Sequence, residues 1–367
     1  MRKSCSDSMI YVHVPFCRSF CTYCDFYSEI ADEKMFARFT DEVCAEIIRR
    51  KDEFDSRLHT LYFGGGTPTV LPLASLTRIV LALQDAGFGA PFDEFTLEGN
   101  PEDVVEKGLP YLDSLRAIGV DRLSLGVQSF DDGLLRWMNR RHNSERAEKA
   151  FRLAREAGFR NVSIDLIFGL SNLDDEVWEA TVDKAVSLAP EHISCYQLSV
   201  DGDSSLAHMM ACGQYTPADE QKCAGQYEIL CRKLGAAGYR HYEISNFAKP
   251  GFESRHNSGY WARIPYVGLG PSAHSFRDPM RSWNSPSLNG YTRSSEILSD
   301  EDRFVETVML SLRTDRGIDG NYLRGHCDSA NIDKLVREGS LALMEGGRYR
   351  IPEERFFTSD AIIRDLI

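Results

Sequence analysis

Three cysteines stand close together in Cys17-Arg-Ser-Phe-Cys21-Thr-Tyr-Cys24. Their Cys-x3-Cys-x2-Cys spacing lets one loop present three thiolates to one metal centre. A cubane iron–sulfur cluster normally takes four cysteines, so three leave one iron open to another ligand, and an open coordination position is a reactive one. Two other readings use fewer of these residues. Cys21 and Cys24 form half of a zinc-type Cys-x2-Cys pair, or a redox dithiol, and both readings leave Cys17 unexplained. A second candidate is Gly64-Gly-Gly-Thr-Pro68, where consecutive glycines let the backbone approach a ligand with its N–H and C=O groups exposed. It has neither the Gly-Lys-Ser/Thr of a Walker loop nor the Rossmann spacing, and a plain tight turn is the alternative.

The elements that must position these residues show in the periodicity. An alternating apolar run from Met9 to Val14 reads as the strand that delivers the cysteine loop, and 34–50 carries Met35, Phe36, Phe39, Val43 and Ile47 at helical spacing. Strand and helix then alternate: strands at 58–63, 94–98, 122–127, 162–168 and 192–199, helices at 73–87, 109–118, 144–157, 174–188 and 219–237. Six such units in series imply a parallel sheet with helices outside, curling toward a partial (β/α)6 barrel. Reactive groups in barrels sit at the C-terminal ends of the strands. That rule collects the three cysteines, the triple glycine, Glu98, Gln128 and Asp165 at one mouth; capping or surface roles are the alternative for the polar ones.

The stretch 246–299 is rich in aromatics, Gly, Pro and Asn with little periodicity, and is expected to be irregular. Helical patterns return at 304–312 and 332–338, followed by two short strands around Gly346-Gly347, which suggests a small winged-helix-like α+β terminal domain. The expected division is therefore 1–245, 246–299 and 300–367.

Composition narrows the function classes. The chain has 367 residues, 43% of them hydrophobic, enough for a large core. A formal charge of -13 with no basic run argues against a nucleic-acid surface. No segment reads as a membrane span and no apolar leader precedes the first strand, so a cytoplasmic location is expected. Ten cysteines in a chain this long are too sparse for a disulfide scaffold, and Cys44, Cys195, Cys212, Cys223, Cys231 and Cys327 are expected as reduced thiols.

The cysteine spacing, preceded by Tyr11-Val-His-Val-Pro-Phe and with Tyr23 just before the last cysteine, resembles the signature of the radical S-adenosylmethionine (SAM) superfamily. Within it, the chain is most similar to the family of oxygen-independent coproporphyrinogen III oxidases and haem chaperones. The resemblance implies a [4Fe-4S] cluster on Cys17, Cys21 and Cys24 with an exchangeable SAM on the open iron. It implies a SAM site formed by Tyr11, Tyr23, Gly65, Gly66, Thr67, Glu98, Gln128, Arg140 and Asp165. Carboxylates suit ribose hydroxyls and an arginine suits the methionine carboxylate. The implied chemistry is one-electron reduction of SAM to methionine and a 5′-deoxyadenosyl radical, which needs an electron donor.

The oxidases carry one more cysteine where this chain has Phe26. His256-Asn257-Ser-Gly-Tyr260-Trp261 instead resembles a segment of the haem chaperones. An imidazole can ligate haem iron, and Tyr260 and Trp261 offer flat faces to a porphyrin; packing against the barrel with His256 hydrogen-bonded internally is the alternative. The expectation is a haem chaperone that delivers haem to an acceptor such as a respiratory haem protein. An oxygen-independent coproporphyrinogen III oxidase, or another radical SAM enzyme acting on a tetrapyrrole, is the alternative.

Overall fold

A computed structural model describes residues 8–30, 33–54, 58–88, 91–200, 202 and 204–367. The stretch before the first strand, where no apolar leader is expected, lies up to Asp7 outside the described residues. Strand β1 (Ser8–Val14) is buried everywhere except at half-buried Tyr11. Burial on both faces is the mark of a central parallel strand covered by helices. The strands β2 (Leu58–Gly65), β3 (Glu94–Gly99), β4 (Arg122–Gln128), β5 (Asn161–Phe168) and β6 (His192–Gln197) follow, each parallel to the one before. The expected partial (β/α)6 barrel forms.

The helices between them are α1 (Glu33–Arg50), α2 (Leu73–Asp85), α3 (Pro101–Ala117), α4 (Asp132–Trp137), α5 (Ser144–Glu156) and α6 (Asp175–Leu188), with α7 (Ser205–Ala211) and α8 (Glu220–Ala236) after β6. Helix α3 starts at Pro101, earlier than the periodicity predicts. Proline is favoured in the first helical turn because its missing N–H is not needed there. A bend at Gly108 (φ +64°) separates this polar first half from the amphipathic second half. The short helices α4 and α7 were not expected, being too short to show a period.

The region from 240 to 299 departs from expectation. It is regular: β7 (Arg240–Glu243), β8 (Asn246–Ala248), β9 (Tyr266–Leu269), β10 (His274–Arg277), β11 (Met280–Asn284) and β12 (Arg293–Ile297) continue the same sheet, and helix α9 (Arg255–Trp261) lies between β8 and β9 in the chain. Its order is β12-β11-β10-β9-β1-β2-β3-β4-β5-β6-β8-β7. Strand β9 runs parallel to β1, while the outer strands on both sides are antiparallel. Strands of three to five residues between turn residues leave no alternation long enough to read, which is why the expectation of irregular structure fails here.

The last segment has α10 (Asp300–Leu312), β13 (Ile318–Asp319), α11 (Gly320–His326), α12 (Ser329–Arg337), β14 (Ala342–Leu343) and β15 (Arg348–Arg350), with β15 central in a small antiparallel sheet. This is the expected winged-helix-like arrangement. Ser299 opens it with a capping box to Asp302. Among the described residues no helix is long and apolar enough to cross a membrane.

Candidate functional site

The cysteine loop leaves β1 and is fastened at both ends and in the middle. Phe16 and Cys17 pair in parallel with Glu29 and Ile30, and the Phe16 ring meets Phe36 and Phe39 of α1 edge-on at 5.0 and 5.3 Å. In the middle, the Thr22 N–H donates to Met138 O (3.1 Å) and its hydroxyl to Trp137 O (2.9 Å). Asn139 Nδ2 donates to Phe20 O (2.7 Å), and the Leu206 N–H at the start of α7 donates to Thr22 O (2.9 Å). The two helices invisible to periodicity thus position the loop that carries the chemistry.

A chain of hydrogen bonds then joins Cys21 to Cys17 across the strand ends. Arg140 Nη1 donates to Cys21 Sγ at 3.2 Å, and Nη2 donates to Asn100 Oδ1 and Gly126 O at 2.6 Å each. Asn100 Nδ2 donates to Thr67 Oγ1 (3.2 Å), which lies 3.6 Å from Cys17 Sγ. Asn100 was not among the expected site residues. Its place between the end of β3 and Pro101 at the start of α3 is the signal that could have found it. Gln128 sits where the β4–β5 register shifts and takes a left-handed backbone (φ +67°), a conformation uncommon for non-glycine residues.

Close approach explains the glycines. A Cβ on Gly66 would stand 2.8 Å from Phe16 O, and its N–H donates to Val14 O at 2.9 Å. Gly65 has φ +109°, and a Cβ there would lie 2.7 Å from the His13 ring. Gly66 therefore spends its N–H on the cysteine strand and serves by letting the chains meet.

Below this rim lie the acids. Tyr62 donates to Glu98 Oε1 at 2.6 Å, and Ser124 donates to Asp165 Oδ1 at 3.1 Å. Loss of water lifts the Glu98 carboxyl to about 7; the Tyr62 hydrogen bond opposes this and the charge of Asp165 adds to it. Asp165 is also raised, again first by desolvation. Tyr11 OH lies 3.1 Å from His13 Nδ1, and His13 Nε2 lies 3.0 Å from Tyr27 O. The structure thus gathers Tyr11, Gly65, Gly66, Thr67, Glu98, Gln128, Arg140 and Asp165 on the mouth side of one strand series, with Tyr23 in the electrostatic field of Arg140, Cys21 and Cys24.

Burial pushes the Cys24 thiol up to about 11 and raises Cys17, with the neighbouring sulfurs adding to both. A metal must displace these protons to bind. Among the described residues no three His, Cys, Asp or Glu side chains converge as a single-ion site. In a cubane the cysteines are shared out among the irons, so three cysteines on one loop, within electrostatic reach of one another, match the donor set. Arg140 Nε is buried without a partner, a donor that suits an anionic group. The residues present therefore fit a cluster with an anionic co-ligand.

The expected haem set lies next to these residues on the foot side, with the His256 ring 4.9 Å from Tyr62 and 6.5 Å from Tyr11. His256 is 1% exposed at the foot of the barrel, with Thr60 Oγ1 2.7 Å from Nδ1 and Tyr260 OH 2.9 Å from Nε2. Burial first, then the charge of Arg122, lowers it to about 3, so it is neutral. The N–H groups of Arg255 and His256 both donate to the Glu94 carboxylate (2.9 and 3.1 Å). Tyr260 packs edge-on against Tyr266 at 4.7 Å, and Asn257 and Trp261 are half-buried. In this arrangement His256 has no ring nitrogen free for iron, a correction to its reading as an available ligand: the internal-packing alternative describes its surroundings.

Comparison with known proteins agrees with the mouth geometry. The family model of the radical SAM superfamily matches residues 11–185. The haem chaperone HemW of Bacillus subtilis is 35% identical over 84% of this chain and 84% of its own. HemW of Mycobacterium tuberculosis is 32% identical over 98% of this chain and 94% of its own. Among solved structures, the radical SAM enzyme coproporphyrinogen III oxidase (HemN) from Escherichia coli superposes with a TM-score of 0.81, at 23% identity over 98% of this chain and 90% of that one, a likeness of fold. With its cysteine loop at the mouth of a parallel barrel and relatives of this closeness along most of its length, the chain belongs to the HemW family of the radical SAM superfamily.

Proposed function

We propose that this chain is a haem chaperone that binds haem beside a SAM-ligated [4Fe-4S] cluster and delivers it to an acceptor protein. The observation that carries this reading is the identity to HemW chaperones over most of both chains. Cys17, Cys21 and Cys24 would hold the cluster, and SAM would take the open iron in exchangeable fashion. When bound, the pair supplies one-electron chemistry, for which an electron donor is needed.

The chain's own residues do the rest. Arg140 offers its buried Nε–H to a carboxylate. Glu98, lifted to about 7, exchanges a proton near neutral pH at the carboxyl that Tyr62 holds. The loop fastening at Thr22 holds the half-buried cysteines in place against α4 and α7. For His256 to ligate haem, its contact with Thr60 or with Tyr260 has to open; Tyr260, Trp261 and Asn257 would then be the nearest groups on the same helix. The working place in this reading is the cytoplasm, with an acceptor such as a respiratory haem protein.

The decisive experiment is an anaerobic haem titration of the cluster-reconstituted protein, followed through the Soret band beside a His256→Ala variant. Stoichiometric saturation is expected. Saturation weakened in the variant places the haem at α9; saturation unchanged keeps the chaperone and moves the ligand. No saturable binding, together with vinyl formation from coproporphyrinogen propionates, would overturn the reading in favour of the oxidase.

A further inference from the structure

We infer that Arg140 couples the SAM site to the cluster: its guanidinium donates to the Cys21 sulfur and sets the reduction potential of the cluster, and Asn100 is the positioning residue that aims it. The inference rests on the cluster and SAM reading given above.

The geometry carries it in three steps. First, the contact is directed: Nη1 lies 3.2 Å from Cys21 Sγ, and a hydrogen bond to a ligand sulfur draws negative charge off the cluster, which favours the reduced state. Second, the guanidinium is held. Nη2 is bound by Asn100 Oδ1 and Gly126 O at 2.6 Å each, and a Cβ on Gly126 would meet first the Gln128 side chain at 2.9 Å and then Asn100 Oδ1 at 3.3 Å. Asn100 is itself tied through Nδ2 to Thr67 Oγ1, which stands by Cys17. Third, Nε is the buried nitrogen left without a partner. A carboxylate arriving there shares one delocalised cation with the sulfur already bound to it. Binding at one end then changes what the other end receives, and linkage makes the effect reciprocal: SAM affinity differs between the oxidised and reduced cluster to the extent that SAM shifts the potential.

The test uses the full-length, anaerobically reconstituted protein, with Arg140→Met and Asn100→Ala beside the parent. Iron and sulfide content are measured first; a parent that assembles no cluster sinks the cluster reading itself, a different failure from the one tested here. Redox titration, read by the visible absorbance and electron paramagnetic resonance of the cluster, is then run with and without SAM. Without SAM, both variants are expected at lower potential than the parent with cluster content kept, and the shift that SAM induces is expected to shrink in both. SAM affinity that falls while the SAM-free potential stays at the parent value would overturn the proposal and leave Arg140 as a SAM ligand alone. Should Arg140→Met fail to assemble a cluster, Asn100→Ala decides, because it removes the aim and leaves the cation and all three cysteines in place.

Discussion

The two ends of the barrel are built from the same kinds of residue and differ in what they leave unmatched. At the foot, Glu94, His256, Thr60 and Tyr260 form a polar cluster in which both nitrogens of His256 have partners and Glu94 caps α9. At the mouth, three thiols of one loop lie within electrostatic reach of one another, Arg140 keeps a buried N–H without a partner, and Gln128 holds a left-handed backbone. Satisfied polar groups build a structure; unsatisfied ones wait for a ligand. Residue type alone does not separate the two ends. What separates His256 from Arg140 is that both nitrogens of His256 have partners and Arg140 Nε has none, although Ser8 Oγ and Arg122 Nε at the foot are also buried without one.

That contrast can be broken in order of expected effect. Cys17→Ala, Cys21→Ala or Cys24→Ala is each expected to abolish the cluster, measured as iron and sulfide per chain after reconstitution; full retention in any one would remove that residue from the ligand set. At the other end, His256→Ala is expected to leave cluster assembly intact and to cost about 3 kcal/mol in urea unfolding, since it opens a cavity and strands Thr60 and Tyr260. Unchanged stability with haem binding lost would instead make the foot a ligand site. Thr60→Val, which keeps the shape and removes one partner of His256, should cost about 1–2 kcal/mol and separate plug from ligand more cleanly.

Gly66→Ala tests the bridge between loop and barrel. Its Cβ would meet Phe16 O at 2.8 Å, so backbone has to move, with an expected loss of about 2 kcal/mol and lower cluster yield; a fully loaded, equally stable variant would show that the loop can shift freely. The last effect is in pH. Glu98 and Glu243 are both lifted from 4.5 to about 7, Glu243 by burial first. A raised carboxyl favours the folded state while protonated, so its contribution is full below pH 4.5 and is lost as pH rises through 7. Glu243→Gln should therefore flatten the decline in melting temperature between pH 5 and 8, with no gain at pH 5. A slope identical to the parent's would show that Glu243 is not the titrating group.

Much of this was legible in order along the chain. The alternating run at 9–14, the helix at 34–50 and the later strand and helix periods are local properties of side chains on a backbone of fixed pitch, and they appear where expected. The site was legible for a similar reason: residues at strand ends share one mouth in a parallel barrel, so Glu98 and Gln128 assemble without any knowledge of contacts, while Asp165, expected at a strand end, lies in the middle of β5. What escaped were pieces with no period of their own. Helices α4 and α7 are a turn or two long, and the strands from β7 to β12 are at most five residues, so their existence depends on the partners they pair with.

His256 shows the same limit inside a motif. An imidazole beside two aromatics is chemically able to bind haem iron, and nothing local distinguishes that role from a plug. Thr60 and Glu94 lie far from it in sequence, and only folding brings them to its nitrogens and to the start of its helix. Asn100 became part of the site by the same route, through an arginine forty residues away. The amino-acid sequence by itself determined the long elements, the barrel and the ligand types, because periodicity and side-chain chemistry are local. Tertiary structure alone decided which of those groups are already satisfied, because a hydrogen-bond partner is chosen by distance in space and not along the chain.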